Sequence, residues 1–183
     1  MLEPADRRKR AAHLDAVLIG GREKRAVVLA EYDPKWPTYL ENQRARIQNA
    51  LGETATRIEH VSSTAMPGLA AKPIIDVPVT VADVDNEGAF VPALGAAGYE
   101  LRVREPGHRM LRTPTRDVHV HLWRDGDPEV HRYLWFRDRL RCSPEDRRAY
   151  EQLKRDLARA DRADMNDYAD AKGPLIESIL ARA

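Results

Sequence analysis

A single carboxylate inside a run of branched aliphatic residues constrains this chain more than any other feature. Ile74, Ile75, Asp76 and Val77 follow Lys72 and Pro73 and lead on to Val81. A charge in such a run is costly to bury unless it is paired or holds a metal. The stretch leading into it begins at Glu59. It reads as a strand, a small-residue turn at Ser62, Ser63 and Thr64, a break at Pro67-Gly68, a loop carrying Lys72, and a second strand. Side chains alternate across a sheet, so Asp76 shares a face with Ile74 and Pro78. Pro78 has no amide hydrogen and implies a bulge or a partly unpaired edge. From the pattern alone, Asp76 also reads as a cap on the nearby turn or as the partner of an arginine.

The wider composition narrows the classes. At 183 residues the chain can bury one sizeable core, or one core with a helical appendage. A net charge of +1 provides no global field for nucleic acid or membrane. Charged residues reach 32%, which suits well-solvated helices. The one cysteine, Cys142, excludes an internal disulfide and a cysteine metal cluster. There is no apolar run of transmembrane length and no signal-peptide core, so the expected compartment is the cytoplasm. The oligomeric state is left open.

Residues 1–25 read as an N-terminal extension with a short helix from Pro4. Leu14, Val17 and Leu18 form its apolar stripe and Gly20-Gly21 ends it. Its basic run Arg7 to Arg10 reads as a solvated face. Val27 to Ala30 reads as an edge strand. A helix from Thr38 carries Leu40, Ile47 and Leu51, with Gly52 as its stop. Thr56 to Val61 and Ile74 to Val81 read as central strands. Asp83 is expected to cap a helix through Val84, Phe90, Leu94 and Ala97, ending at Gly98. Tyr99 to Val103 is a strand, turned by Glu105-Pro106-Gly107. His108 to Arg112 and Asp117 to Trp123 form a hairpin. Its second arm, VHVHL, points Val118, Val120 and Leu122 one way and His119 and His121 the other. Two imidazoles two residues apart can share a phosphate or a metal. From Asp127 the chain is helical: one helix opens at Pro128, one follows Ser143-Pro144, and a last one holds Tyr168, Leu175, Ile176, Ile179 and Leu180 and restarts at Gly173-Pro174.

Four segments together resemble the GrpB family of the nucleotidyltransferase-fold superfamily, which also appears fused to dephospho-CoA kinases. They are HVSSTAMPGLAAKPIIDV from His60, VHVHL from Val118, WFRDRLR from Trp135, and the Tyr168–Lys172 pair. The resemblance covers residues from Val27 on and implies an α+β fold. Residues 26–183 are expected to form a single domain, with a mixed sheet core flanked by helices over 26–126 and a helical portion packed on it over 127–183. It further implies a small-residue turn that maps to Ser62-Ser63, with Ser62 where the superfamily has glycine. Two metal-binding acids one residue apart and a third on a later strand belong to that signature. The first maps to Asp76. The second falls on Pro78 and is missing, and His119 and His121 occupy the third strand.

Three functions follow as expectations. The first is a nucleotidyl or phosphoryl transferase with Asp76, His119 and His121 as catalytic groups. The second is a catalytically degenerate module that binds a nucleotide or other phosphate-containing small molecule. The third is a hydrolase with one divalent metal held by Asp76, His119 and His121. The candidate phosphate-binding residues are Ser62, Ser63, Lys72, Arg109, Arg137, Arg141, Lys154 and Lys172, with Asp138 orienting one of the arginines. The expected partner is a phosphate-containing small molecule, not nucleic acid or a membrane.

Overall fold

Two apolar runs separated by more than thirty residues lie side by side at the centre of the fold. The computed structural model describes residues 4–23, 27–159 and 165–182. Five strands form one sheet: β1 (Arg57–Ile58), β2 (Ile75–Val81), β3 (Glu100–Glu105), β4 (His108–Arg112) and β5 (Val118–Arg124). Their order is β1-β2-β5-β4-β3. β2 and β5 run parallel, with Asp76 opposite His119 and Pro78 opposite His121. The other neighbours are antiparallel. β3 and β4 are joined by the tight turn at Pro106-Gly107, where Gly107 takes the left-handed conformation that a side chain would strain.

The sheet has two unlike faces. Val77, Val79, Val81, Val118, Val120, Leu122 and Leu111 point to one face and are buried almost completely. There they pack on α2 (Trp36–Leu51) and α3 (Val91–Ala96), through Trp36, Leu40, Ile47, Phe90 and Leu94. Asp76, His108, His119, His121 and Trp123 line the other face by alternation. Helices α4 (Pro128–Cys142), α5 (Pro144–Arg159), α6 (Met165–Asp170) and α7 (Gly173–Leu180) supply its cover. Val130 and Leu134 of α4 pack on Trp123 and Val61, while Phe136, Leu140, Tyr150 and Ile179 form a further core with Met66 and Leu69. The Asp127 side chain accepts from the Glu129 amide at 2.8 Å and caps α4. Ser143 Oγ accepts from the Asp146 amide at 3.2 Å and caps α5. The expected restart at Gly173-Pro174 separates α6 from α7. This is the α+β architecture that the sequence implied.

The N-terminal helix α1 (Pro4–Val17) covers the outer edge of the sheet. Leu18 bridges Val103, and Val17 packs with Val103 and Met110. Arg10 makes a two-pronged ion pair with Asp170, each contact 2.9 Å.

Three element assignments are corrected. Val27 to Ala30 is not a strand: among its described residues only Ala30 pairs, exchanging backbone bonds with Ala71 in an isolated bridge. Thr56 to Val61 is not a central strand. It narrows to the two residues of β1 at the sheet edge. Pro78 is the reason: the Glu59 amide donates to the Pro78 carbonyl at 2.9 Å, but Pro78 has no N–H to return. Pairing reappears only where the Val61 amide reaches the Asp76 carbonyl at 3.2 Å. Finally, the helix expected from Asp83 begins at Val91. A continuous helix from Val84 would bury Pro92 in its interior, removing a hydrogen bond and clashing with the preceding turn. The chain instead uses an Asp83–Asp85 turn at 3.0 Å and a single tight turn over Glu87–Ala89.

Candidate functional site

The carboxylate, the two histidines and the serine turn meet at one place. Asp76 Oδ1 lies 3.3 Å from His119 Nδ1 and 3.5 Å from His121 Nε2. One ligand atom from each of the three residues lies within 4.8 Å of the others. Burial works against ionisation of Asp76, but the two imidazoles outweigh it and hold its carboxyl well below the usual range.

Beside this trio is a cavity of about 100 Å³ lined by Ser62, Ser63, Lys72, Ile74, Asp76, His119, Tyr150, Lys154, Tyr168 and Lys172. It has room for a few waters or one phosphoryl-sized group. Three lysines from separate parts of the chain line it with Asp76, the one carboxylate among its described lining residues. Lys154 comes from α5 and is 2% exposed. Its ammonium donates to Ser63 Oγ at 2.9 Å and to the Ala70 carbonyl, and lies 5.1 Å from the Tyr150 ring centre. Burial, and then the charge of Lys172, pull it down to about 7. Lys172 is lowered too, by burial, with Asp76 opposing. The ammonium groups of Lys72 and Lys172 sit 5.0 and 4.9 Å from the centre of the Tyr168 ring. The Tyr168 hydroxyl is buried and has no hydrogen-bond partner among the described residues.

The turn that closes this cavity is strained. Ser62 adopts φ 65°, ψ −171°, a conformation normally left to glycine. The turn is tied to β2 from below: His60 Nε2 lies 3.0 Å from Thr64 Oγ1, which donates to the Ile74 carbonyl at 3.2 Å. Thr64 has thereby used its hydrogen, so His60 Nε2 is the donor in that pair. Burial keeps His60 neutral by pulling it down to about 4.

Not every expected residue joins the cavity. Arg109 does not. Alternation along β4 puts it on the opposite sheet face from His108, and its guanidinium pairs with Glu87 at 2.5 Å and Asp85 at 2.9 Å. Arg137 and Arg141 lie beyond the serine turn, in a wider groove of about 730 Å³ that His60, Thr64 and Arg147 also line. Arg137 is held by Glu59 at 3.0 Å and by Asp138 at 2.8 Å, so Asp138 does orient an arginine. Arg141 donates to the Ala65 carbonyl at 2.8 Å and fastens α4 to the turn. Ser62, Ser63, Lys72 and Lys172 do converge with Asp76 and His119, and Lys154 completes the set.

Sequence reasoning missed Tyr150 as a lining residue, because its spacing with Leu153 and Leu157 reads as core. It also missed the pair behind His121. His108 Nδ1 lies 2.7 Å from Glu105 Oε1, and His108 Nε2 lies 3.1 Å from His121 Nδ1. The signal was available, since a hairpin places His108 next to the VHVHL strand on its polar face.

Known proteins resemble the chain over nearly all of this architecture. The family described as GrpB protein matches residues 26–182. A UPF0157 protein from Streptomyces coelicolor is 53% identical, over 91% of this chain and 89% of that protein. A dephospho-CoA kinase from Mycolicibacterium paratuberculosis is 30% identical over 86% of this chain, but this covers only 46% of the kinase. The crystal structure of the conserved protein GrpB from Enterococcus faecalis superposes with a TM-score of 0.74 at 33% identity, covering 83% of this chain and 94% of that one. Among the described residues, no helix is long and apolar enough to cross a membrane.

Proposed function

The chain belongs to the GrpB family, and from that premise we propose that it binds a phosphate-containing small molecule, with the phosphate in the cavity between Lys72, Lys154 and Lys172. One observation carries this reading: three lysines line one cavity in which Asp76 is the single carboxylate among the described lining residues. Asp76 is itself engaged by two histidines. Like charges gathered in a low-dielectric space disfavour one another, and an anion among them reverses the sign of that interaction. The Tyr168 hydroxyl, buried and without a hydrogen-bond partner among the described residues, is a neutral donor in the same lining. The wider groove beyond the serine turn offers room for the remainder of such a ligand.

The relatives named dephospho-CoA kinase suggest which compounds to try first. This chain spans under half of those proteins and contains no G-x-x-x-x-G-K-[ST] phosphate loop, so the kinase name is not carried over. It does place nucleotides and coenzyme A precursors at the head of the list. Nucleotidyl or phosphoryl transfer is a second reading of the same cavity, supported by an ionised Asp76 within it.

Thermal unfolding with a panel of nucleotides, dephospho-coenzyme A, pyrophosphate and sulfate tests the binding reading. A ligand at about 100 times its Kd adds about 2.7 kcal/mol. For a chain of this size that raises Tm by roughly 5–10 °C. Lys154→Gln should weaken binding about tenfold or more, because a hydrogen bond to a charged group is worth about 1.5–3 kcal/mol. No stabilisation by any phosphate compound, or full stabilisation of the Lys154→Gln protein, rejects the cavity as the site.

A further inference from the structure

The nucleotidyltransferase fold implies hard divalent ions held by several carboxylates, and this site does not fit them. Pro78 stands where the second acid belongs, and β5 presents nitrogen ligands instead of oxygen. Magnesium prefers an oxygen shell, whereas imidazole suits zinc, cobalt, iron and nickel. From this disagreement we propose that Asp76, His119 and His121 form a mononuclear site for a borderline transition-metal ion of the zinc and cobalt class, with His108 and Glu105 as its positioning residues.

Distances support it first. Ligand bonds of about 2.0–2.1 Å in a tetrahedral shell place neighbouring ligand atoms about 3.3 Å apart. Asp76 Oδ1 is 3.3 Å from His119 Nδ1 and 3.5 Å from His121 Nε2. Small side-chain movements bring all three onto one ion, since their ligand atoms all lie within 4.8 Å of one another.

The proton inventory behind His121 supports it independently. A carboxylate only accepts, so His108 Nδ1, 2.7 Å from Glu105, carries a hydrogen. With both rings neutral, His108 Nε2 is then an acceptor, and His121 Nδ1 must donate to it across 3.1 Å. That leaves a lone pair on His121 Nε2 facing the carboxylate oxygen of Asp76. Two acceptors face each other unless a cation lies between them, either a metal ion or one additional proton. The arrangement is a carboxylate–histidine–histidine chain ending on a metal-facing nitrogen, of the kind that fixes ligand tautomers in metal sites. Stacking on Trp123, whose ring centre lies 4.5 Å from that of His108, holds the chain in place. From α1, His13 reaches the other oxygen of Glu105 at 3.4 Å. Three protein ligands leave at least one coordination position, and Asp76 and His119 both line the lysine cavity.

The test uses the full chain, stripped with chelator and titrated in phosphate-free buffer, so its result does not depend on the anion reading. Cobalt is expected to bind one ion per chain and give the visible absorption of a low-coordinate site. Zinc should displace it, and magnesium in large excess should not. His119→Gln and His121→Gln should abolish the spectrum. His108→Gln and Glu105→Gln should keep one ion per chain and lower affinity by about 10- to 100-fold. Circular dichroism confirms that each variant is folded, and the wild-type spectrum decides the matter if one is not. No cobalt or zinc uptake by folded wild-type protein overturns the proposal and assigns the position to a proton. Uptake unchanged by His121→Gln, or equal competition by magnesium, overturns it as well.

Discussion

Lys154 carries a substantial electrostatic cost that the fold accepts. Its ordinary value of 10.5 falls to about 7 in the folded chain. Because the folded value lies below the unfolded one, the unfolded chain binds more protons between about pH 7 and 10. Stability therefore rises with pH through that window, and below it the folded state carries the full penalty of a buried charge. At about 1.36 kcal/mol per pKa unit, the rise amounts to a few kcal/mol. Urea unfolding across the window should show this rise in the wild type and a flatter profile in Lys154→Met. Sulfate keeps its charge over the same range, so its affinity should fall as Lys154 loses its proton, and isothermal calorimetry reads that directly. Tyr168 offers a complementary prediction. A buried hydroxyl without a partner costs about 1–3 kcal/mol, so Tyr168→Phe should stabilise the ligand-free protein, by about 1 kcal/mol. If the hydroxyl donates to the bound anion, the same change weakens binding. An apo protein destabilised by Tyr168→Phe shows instead that the hydroxyl has a partner.

At the level of elements, the serine turn shows what the sequence reveals and where it stops. Its small residues and the acid after it were legible, because a lone Asp among branched aliphatics and a two-residue alternation of histidines are both strong local patterns. The strain at Ser62 was not legible from the residue type, since nothing about serine announces φ 65°. Such conformations cost about 1–3 kcal/mol and persist where surrounding contacts enforce them. Ser62→Gly should therefore raise Tm by a few degrees while leaving the turn in place, measurable by calorimetry. A lower Tm shows that the Ser62 side chain contributes more than its backbone costs. Pro78 and Pro92 were visible, yet their reach was underestimated: one cuts β1 to two residues and the other delays α3 to Val91. Tyr150 illustrates the opposite problem. A tyrosine on an amphipathic helix reads as core, and only the docking of α5 against the serine turn, where Lys154 reaches Ser63, brings it into the cavity lining. Arg109 failed because alternation along β4 turns it away from the face of His108, toward Glu87 and Asp85 from a segment distant in sequence.

Over the whole molecule, a net charge of +1 conceals local structure in the field: three lysines line one cavity with Asp76 and His119, while a chain of His121, His108 and Glu105 adjoins Asp76. The two proposed ligands, an anion and a divalent cation, would therefore occupy adjoining parts of one space. Opposite charges about 4 Å apart at an effective dielectric near 20 attract by about 4 kcal/mol per unit pair, before screening. Even a fraction of that makes binding cooperative. Zinc should tighten pyrophosphate binding by tenfold or more, and reciprocity requires pyrophosphate to tighten zinc by the same factor. Paired titrations, corrected for zinc–pyrophosphate association in solution, measure both factors. Lys172→Gln should reduce the coupling, because Lys172 and Asp76 share the cavity. Equal affinities with and without the second ligand would place the two sites in different parts of the molecule, whatever each binds alone.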